Sequence, residues 1–156
     1  MAQSDNAATR FVDSHLAAGR ADKPVFIEVD GDQRQLTYGA LAAGAGVAAA
    51  AMMAAGLRRE ERAAMLLLDT VDYPLLFWGA LKAGVVAVPL NTLLSTSIYD
   101  AILRDSRASA LFVSAALYPV VAPVLDDNPW LRTVVVVGGE APDGTTGFDD
   151  FMAGHA

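Results

Sequence analysis

The sequence predicts an α/β domain: a mainly parallel sheet with helices on both faces and a small N-terminal hairpin. Two observations predict it. After Thr37, segments of helical spacing alternate regularly with short apolar runs, and strands joined by helical crossovers run parallel. The runs are also continuously apolar rather than alternating. Ala63-Ala64-Met65-Leu66-Leu67-Leu68 is one such run, and it has the character of a strand covered on both faces.

Composition agrees with a packed domain. The 156 residues are 54% hydrophobic and 19% charged, enough for one domain or one large subdomain and unlike a disordered chain. A net charge of −7 argues against non-specific attraction to nucleic acid or anionic membrane. No cysteine is present, which removes disulfides, thiolate zinc sites and thiol nucleophiles. The two histidines, His15 and His155, are too few for a histidine metal cluster. Met1 to Asn6 carries neither a basic nor an apolar leader segment, and the expected location is the cytoplasm. Residues 41–57 lack charge but are mostly Ala and Gly, shorter than the roughly 20 apolar residues of a membrane span. They read as a buried soluble helix.

The elements follow in order. Residues 6–20 place Phe11, Val12, His15 and Leu16 on one side of a helix, with Ser4, Asp5 or Asn6 as cap and Gly19 as stop. His15 reads as a packed boundary residue and His155 as a solvated tail residue. Pro24-Val25-Phe26-Ile27-Glu28-Val29-Asp30 is a strand, Gly31-Asp32 a turn, and Gln33-Arg34-Gln35-Leu36-Thr37 a polar return strand. The pair is a solvated edge hairpin. Thr37 caps a helix over residues 38–55, which ends at Gly56. Gly39, Gly44 and Gly46 lie inside it, each subtracting up to about 1 kcal/mol of helix propensity. Close approach of another layer is the economical reason for them. Gly44-Ala45-Gly46 is not a dinucleotide fingerprint, which opens a helix straight after a strand and continues to a third glycine. Position 49 is alanine.

Arg58-Arg59-Glu60-Glu61-Arg62 is a surface connector into the apolar run 63–68. Either Thr70 or Asp72 caps the next helix, with Pro74 in its first turn. Residues 73–83 carry Leu75, Leu76, Phe77, Trp78 and Leu81 nearly all round, so this helix is buried. Gly84 stops it, Val85 to Val88 form a buried strand, and Pro89 forbids a continued central ladder. Ser97-Ile98-Tyr99-Asp100 has the form of a capping box. Ile98, Ala101 and Ile102 are expected inside, with Asp100 and Arg104 paired outside. A strand over residues 110–113 precedes a helix over 115–125 that Pro119 and Pro123 interrupt. Residues 131–137 form the last strand, ending at Gly138-Gly139, and a short helix covers 148–153.

Ligands of open α/β sheets bind outside the carboxyl ends of the strands. The groups expected there are Asp69, Thr70 and Asp72, then Asn91 and Thr92, then Ser114, then Glu140. They form no recognisable catalytic set, and helix capping accounts for the carboxylates. No nucleophile elbow or paired-histidine zinc motif is present. Lys82 suits a helix C-terminus for dipole reasons alone. Gly144-Thr145-Thr146-Gly147 has no following lysine and is surrounded by Asp143, Asp149 and Asp150, the wrong sign for a phosphate loop. It reads as a mobile surface loop. No catalytic, cofactor-binding or metal-ligating residue is assigned to this chain.

Two stretches nevertheless resemble a known family. Leu36-Thr37-Tyr38-Gly39-Ala40-Leu41 is similar to the first core motif of the adenylate-forming superfamily (acyl- and aryl-CoA synthetases, luciferases and peptide-synthetase adenylation domains), with Ala40 where glutamate is common. Leu81-Lys82-Ala83-Gly84-Val85-Val86-Ala87-Val88-Pro89-Leu90-Asn91 resembles its second core motif. Gly19-Arg20 ahead of Pro24, Asp72-Tyr73-Pro74 with Phe77, Asn91-Thr92-Leu93-Leu94, Tyr99 with Leu103, Asp105-Ser106, and Val134 to Gly139 look closest to benzoate-CoA ligases.

The resemblance implies the N-terminal subdomain of the acyl-CoA synthetase fold, residues 1–156 standing as one part of a longer AMP-forming ligase. It implies ATP, Mg²⁺ and coenzyme A as cofactors of the whole enzyme, an aromatic carboxylate as substrate, and an acyl-adenylate followed by a thioester. The family's phosphate loop and catalytic lysine have no counterpart here, and Lys82 is not that lysine. The chain alone is therefore expected to be inactive, to bind none of these cofactors, and to self-associate. The alternative expectation is a non-catalytic α/β binding or scaffold module.

Overall fold

The computed structural model describes residues 6–29 and 33–155. Its centre is a five-stranded sheet of β3 (Arg62–Leu66), β4 (Val86–Pro89), β5 (Ala110–Ser114), β6 (Thr133–Val137) and β7 (Thr146–Gly147), in the order β4-β3-β5-β6-β7. Every pairing in it is parallel. A separate antiparallel ribbon joins β1 (Pro24–Ile27) to β2 (Gln35–Thr37). The expected fold class is the one observed. The expected turn at Gly31-Asp32, and Ser4 and Asp5 as caps, lie outside the described residues.

Helices cover both faces. On one, α2 (Tyr38–Ala54), α3 (Asp72–Ala83) and α6 (Phe148–Met152) bury Met52, Leu76 and Phe151 against Met65, Phe112 and Val135. On the other, α4 (Thr96–Ser106) and the short α5 (Tyr118–Val121) bury Tyr99, Leu103 and Val121 against Leu66, Leu111 and Val113. All five residues of β5 are buried, so its continuous apolarity reflects two covered faces.

Local chemistry sets the boundaries. Thr37 Oγ1 accepts the Ala40 N–H at 3.2 Å and starts α2. Gly84, at φ +75°, ends α3 in the left-handed conformation that costs an L-residue most. Between α2 and α3 the glycines do close-packing work. A Cβ on Gly44 would stand 2.6 Å from Leu75 Cδ2, and one on Gly79 would stand 2.6 Å from Ala48 Cβ. Gly46 has no such neighbour, so close approach does not explain it.

Several expectations are corrected. The first helix is a π-helical turn (Thr9–Asp13) running into the short α1 (Ser14–Ala17); Gly19 follows it at φ +71°. Neither Thr70 nor Asp72 caps α3: Val71 holds the cap position without a side-chain bond, and Asp72 is the first helical residue. The capping box at Ser97 does not form, because α4 starts two residues earlier, at Thr96, with Ser95 as its cap residue. Its buried stripe is Tyr99 and Leu103, while Ile98 stays exposed. Tyr99 wins the inner face because its buried hydroxyl also donates to the Asn91 carbonyl at 2.8 Å and accepts the Leu94 N–H at 3.2 Å. Pro119 and Pro123 split the expected helix into 3₁₀ turns around α5. Part of the loop 144–147 is β7, an edge strand beside β6.

The largest correction is β4. It is an edge strand with an exposed Val86 and Pro89, not a buried one. Its N–H groups at Val86 and Leu90 donate to Glu61 and Met65 of the β3 segment. By alternation, Ala87 and Pro89 turn their backbone outward, and Pro89 has no N–H to offer there. The proline blunts the edge.

Candidate functional site

From β3 the chain goes out to β4 on one side and then returns past β3 to β5 on the other. The point where strand order reverses, between the carboxyl ends of β3 and β5, is where such sheets bind ligands. Ser114 ends β5, and its Oγ accepts the Leu68 N–H at 2.9 Å. That bond ties the two strand ends together and commits the hydroxyl.

Beyond it the chain turns through Asp69, Thr70 and Val71 into α3. A hollow of about 480 Å³ opens there, walled by Phe26, Ile27 and Glu28 of the ribbon and by Tyr73, Pro74, Phe77 and Trp78 of α3. Its side walls are aromatic because α3 is apolar nearly all round while only part of its surface meets the sheet.

One arginine organises the polar rim. The Arg34 guanidinium donates to Glu28 Oε1 at 2.8 Å and Oε2 at 3.1 Å, and to Asp72 Oδ1 at 3.2 Å and Oδ2 at 2.8 Å. Glu28 Oε1 also accepts the Val71 N–H at 2.7 Å. Bonds from Arg34, then from Val71, hold the Glu28 carboxyl below the usual glutamate range against the opposing effect of burial. The two carboxylates in turn raise Arg34 further above its ordinary range. Burial, then the Asp69 charge, pushes the Tyr73 phenol up. Glu28 and Arg34 carried a sequence signal, opposite charges on facing hairpin arms; the third partner, Asp72, was marked by its place at a strand end, but nothing local tied it to Arg34.

The arrangement limits the chemistry. The hollow's lining holds two carboxylates, Glu28 and Asp69, and no Lys, Arg or His. A substrate carboxylate or a phosphate would meet no counter-charge there. Arg34 instead faces a second hollow of about 430 Å³, at the carboxyl end of β6, with Asp72, Gly138, Gly139, Asp149 and Asp150. Its charge is already matched. Gly144 and Thr146 line a third, of about 390 Å³, together with His155 and Arg132; the Arg132 guanidinium is committed to Glu61 at 2.8 and 3.0 Å.

Most of the remaining sequence candidates are held in local or structural contacts. Asn91 Oδ1 accepts the Leu93 N–H at 2.8 Å in a local turn. Thr92 is half-buried and Glu140 is exposed. Lys82 Nζ pairs with Asp13 at 2.7 Å and ties the N-terminal segment to α3. His15 stacks on Tyr38 with ring centroids 4.2 Å apart and meets Arg20 at 3.3 Å. Among the described residues, no group of three or more His, Asp or Glu is placed to hold a metal ion.

Comparison with known proteins identifies the family. Over 148 residues the chain is 41% identical to a 4-hydroxybenzoate–CoA/benzoate–CoA ligase of Rhodopseudomonas palustris, covering 95% of this chain and 27% of that protein. It is 38% identical to a benzoate–CoA ligase of Thauera aromatica, covering 95% of this chain and 29% of that one. The chain thus spans under a third of the length of these relatives. The structure of the anthranilate CoA ligase AuaEII in complex with anthranoyl-AMP superposes with a TM-score of 0.84 at 30% identity, over 93% of this chain and 27% of that chain. A benzoate CoA ligase of Burkholderia xenovorans gives 0.78 at 34%, over 91% and 27%. Residues 14–150 match the family model described as AMP-binding enzyme, and the chain belongs to the AMP-binding enzyme family.

Proposed function

We propose that this chain is the N-terminal subdomain of a longer ATP-dependent, AMP-forming ligase that joins an aromatic carboxylic acid of the benzoate kind to coenzyme A. The acid is first adenylated and then transferred to the thiol, in aromatic-acid degradation. The observation that carries the reading is the agreement of two relatives: proteins named as benzoate or hydroxybenzoate CoA ligases align with 95% of the chain at 38–41% identity.

The residues present do not fit ATP or the carboxylate of the acid, which meet no cation in the hollow, and among the described residues no group of three or more His, Asp or Glu is placed to hold Mg²⁺. The hollow at the strand-order switch offers carboxylates and aromatic faces, where a nucleotide needs backbone N–H groups and cations. No reaction step is therefore assigned to a residue of this chain. The polypeptide beyond residue 156 supplies the nucleotide, metal, coenzyme A and acid sites, and the 156-residue chain alone is inactive. Among the described residues no helix is long and apolar enough to cross a membrane; a cytoplasmic location is part of the proposal.

The test is an adenylation assay on two proteins, this chain and the full product of its reading frame, each given ATP, Mg²⁺ and benzoate. The full product is expected to form benzoyl-adenylate and, with coenzyme A, benzoyl-CoA; the 156-residue chain forms neither. Adenylate formation by the short chain overturns its inactivity. A full product active only on aliphatic acids overturns the substrate class.

A further inference from the structure

We infer that the outer edge of β1 and the aromatic hollow beside it are a docking surface for the polypeptide that follows residue 156, which adds a strand to β1. The inference rests on the reading of this chain as part of a longer ligase. It begins with the ribbon itself. β1 and β2 form a two-stranded sheet with no third strand among the described residues, and such ribbons are marginal by themselves in water. The Glu28 N–H donates to the Arg34 carbonyl at 3.0 Å. Antiparallel alternation then turns the Ile27 N–H and C=O to the outer edge, where they meet no strand.

The side chains along that edge are apolar and uncovered. Phe26 is 38% exposed, Ile27 58% and Val29 83%. The apolar surface continues across the hollow to Trp78, against which the exposed Phe11 ring lies at 6.4 Å. A continuous patch of this kind with a satisfied polar rim, here Arg34, Glu28 and Asp72, has the anatomy of an interface. The other open edge makes the contrast. β4 carries Pro89 at an outward register position, which guards it against strand addition; the proline of β1, Pro24, stands at its first residue and leaves the stretch from Ile27 onward unguarded.

The chain length supports the occupant. Relatives that match 95% of this chain are covered over only 27–29% of their own length, so their remaining polypeptide is ample to cover the face. The unpaired Asp69 on the rim of the hollow selects a neutral or basic segment at that end. A second copy of this chain is the competing occupant, and its net charge of −7 opposes such pairing.

Hydrogen–deuterium exchange tests the inference on the 156-residue chain at low concentration and on the full product of the reading frame. The Ile27 and Val29 amides are expected to exchange freely in the short chain and at least about 100-fold more slowly in the monomeric full product. The double variant Ile27→Lys/Val29→Lys reads the same face by stability. It is expected to raise the solubility of the short chain with little change in Tm, and to lower the Tm of the full product. Equal exchange in both proteins overturns the inference. So does protection that appears only as either protein dimerises, or a reading frame that stops at residue 156. A full product that makes benzoyl-CoA while β1 stays unprotected overturns the docking surface alone. One with β1 protected and no ligase activity overturns the proposed function alone.

Discussion

Arg34 grips Asp72 with both terminal guanidinium nitrogens, at 3.2 and 2.8 Å, across 38 residues of sequence. The same side chain holds Glu28. One planar fork therefore staples the ribbon to the first turn of α3 and shapes the rim of the hollow at the carboxyl end of β3.

Removing that fork leaves two carboxylates facing each other. The Asp72 and Glu28 side chains are only 12% and 10% exposed, so water compensates them poorly. Arg34→Met is expected to lower the Tm of this chain by several degrees in a circular-dichroism melt. Arg34→Lys should recover less than half of the loss, because a compact ammonium cannot make both forks. A wild-type melt for the Met variant would refute the staple.

The glycines of α2 and α3 divide into two kinds. Gly79→Ala drives a Cβ to 2.6 Å from Ala48 Cβ and 3.1 Å from the Ala45 carbonyl oxygen, and is expected to cost about 1–3 kcal/mol of unfolding free energy. Gly46→Ala adds a Cβ into open space, and is expected to gain about 0.5–1 kcal/mol from helix propensity. Urea titrations of the two variants should shift in opposite directions.

The Tyr99 hydroxyl serves two backbone groups of the segment between β4 and α4. Tyr99→Phe keeps the buried ring but leaves the Asn91 carbonyl and the Leu94 N–H unpaired. The expected loss is about 1–2 kcal/mol, read as a lower urea midpoint.

Acid should destabilise the fold through two glutamates. Both Glu28 and Glu61 are held below the ordinary value of 4.5, Glu28 chiefly by the Arg34 side chain and Glu61 chiefly by the Arg58 backbone N–H. The unfolded chain then takes up those protons first as pH falls. The stabilisation is complete above 4.5 and is lost as pH drops through the folded values. The urea midpoint is expected to stay level above pH 4.5 and to fall below it, and Glu28→Gln/Glu61→Gln should flatten that fall. An equally steep fall in the double variant would assign the acid sensitivity elsewhere.

Much of the fold was legible because it is written in local chemistry. Thr37 as a cap and Gly19, Gly56 and Gly84 at positive φ follow from what a hydroxyl or a missing Cβ allows. The apolar runs at β3 and β5 follow from burial on both faces. The site was not legible in the same way. Asp69, Thr70 and Asp72 stood at the right strand end, but nothing local distinguishes an N-cap carboxylate from one clamped by an arginine in a distant hairpin.

By itself the sequence determined the alternation of helices and strands, most of their boundaries, and the motifs that resemble the adenylate-forming superfamily. Only the tertiary structure decided that β4 lies at the edge, that Tyr99 and Leu103 rather than Ile98 and Ile102 face the sheet, and that Arg34 closes on Asp72. The physical reason is one of range. Propensity and apolarity report what each segment needs, cover or solvent, within a few residues. Which partner supplies the cover depends on how all the layers pack at once, and no single segment carries that choice.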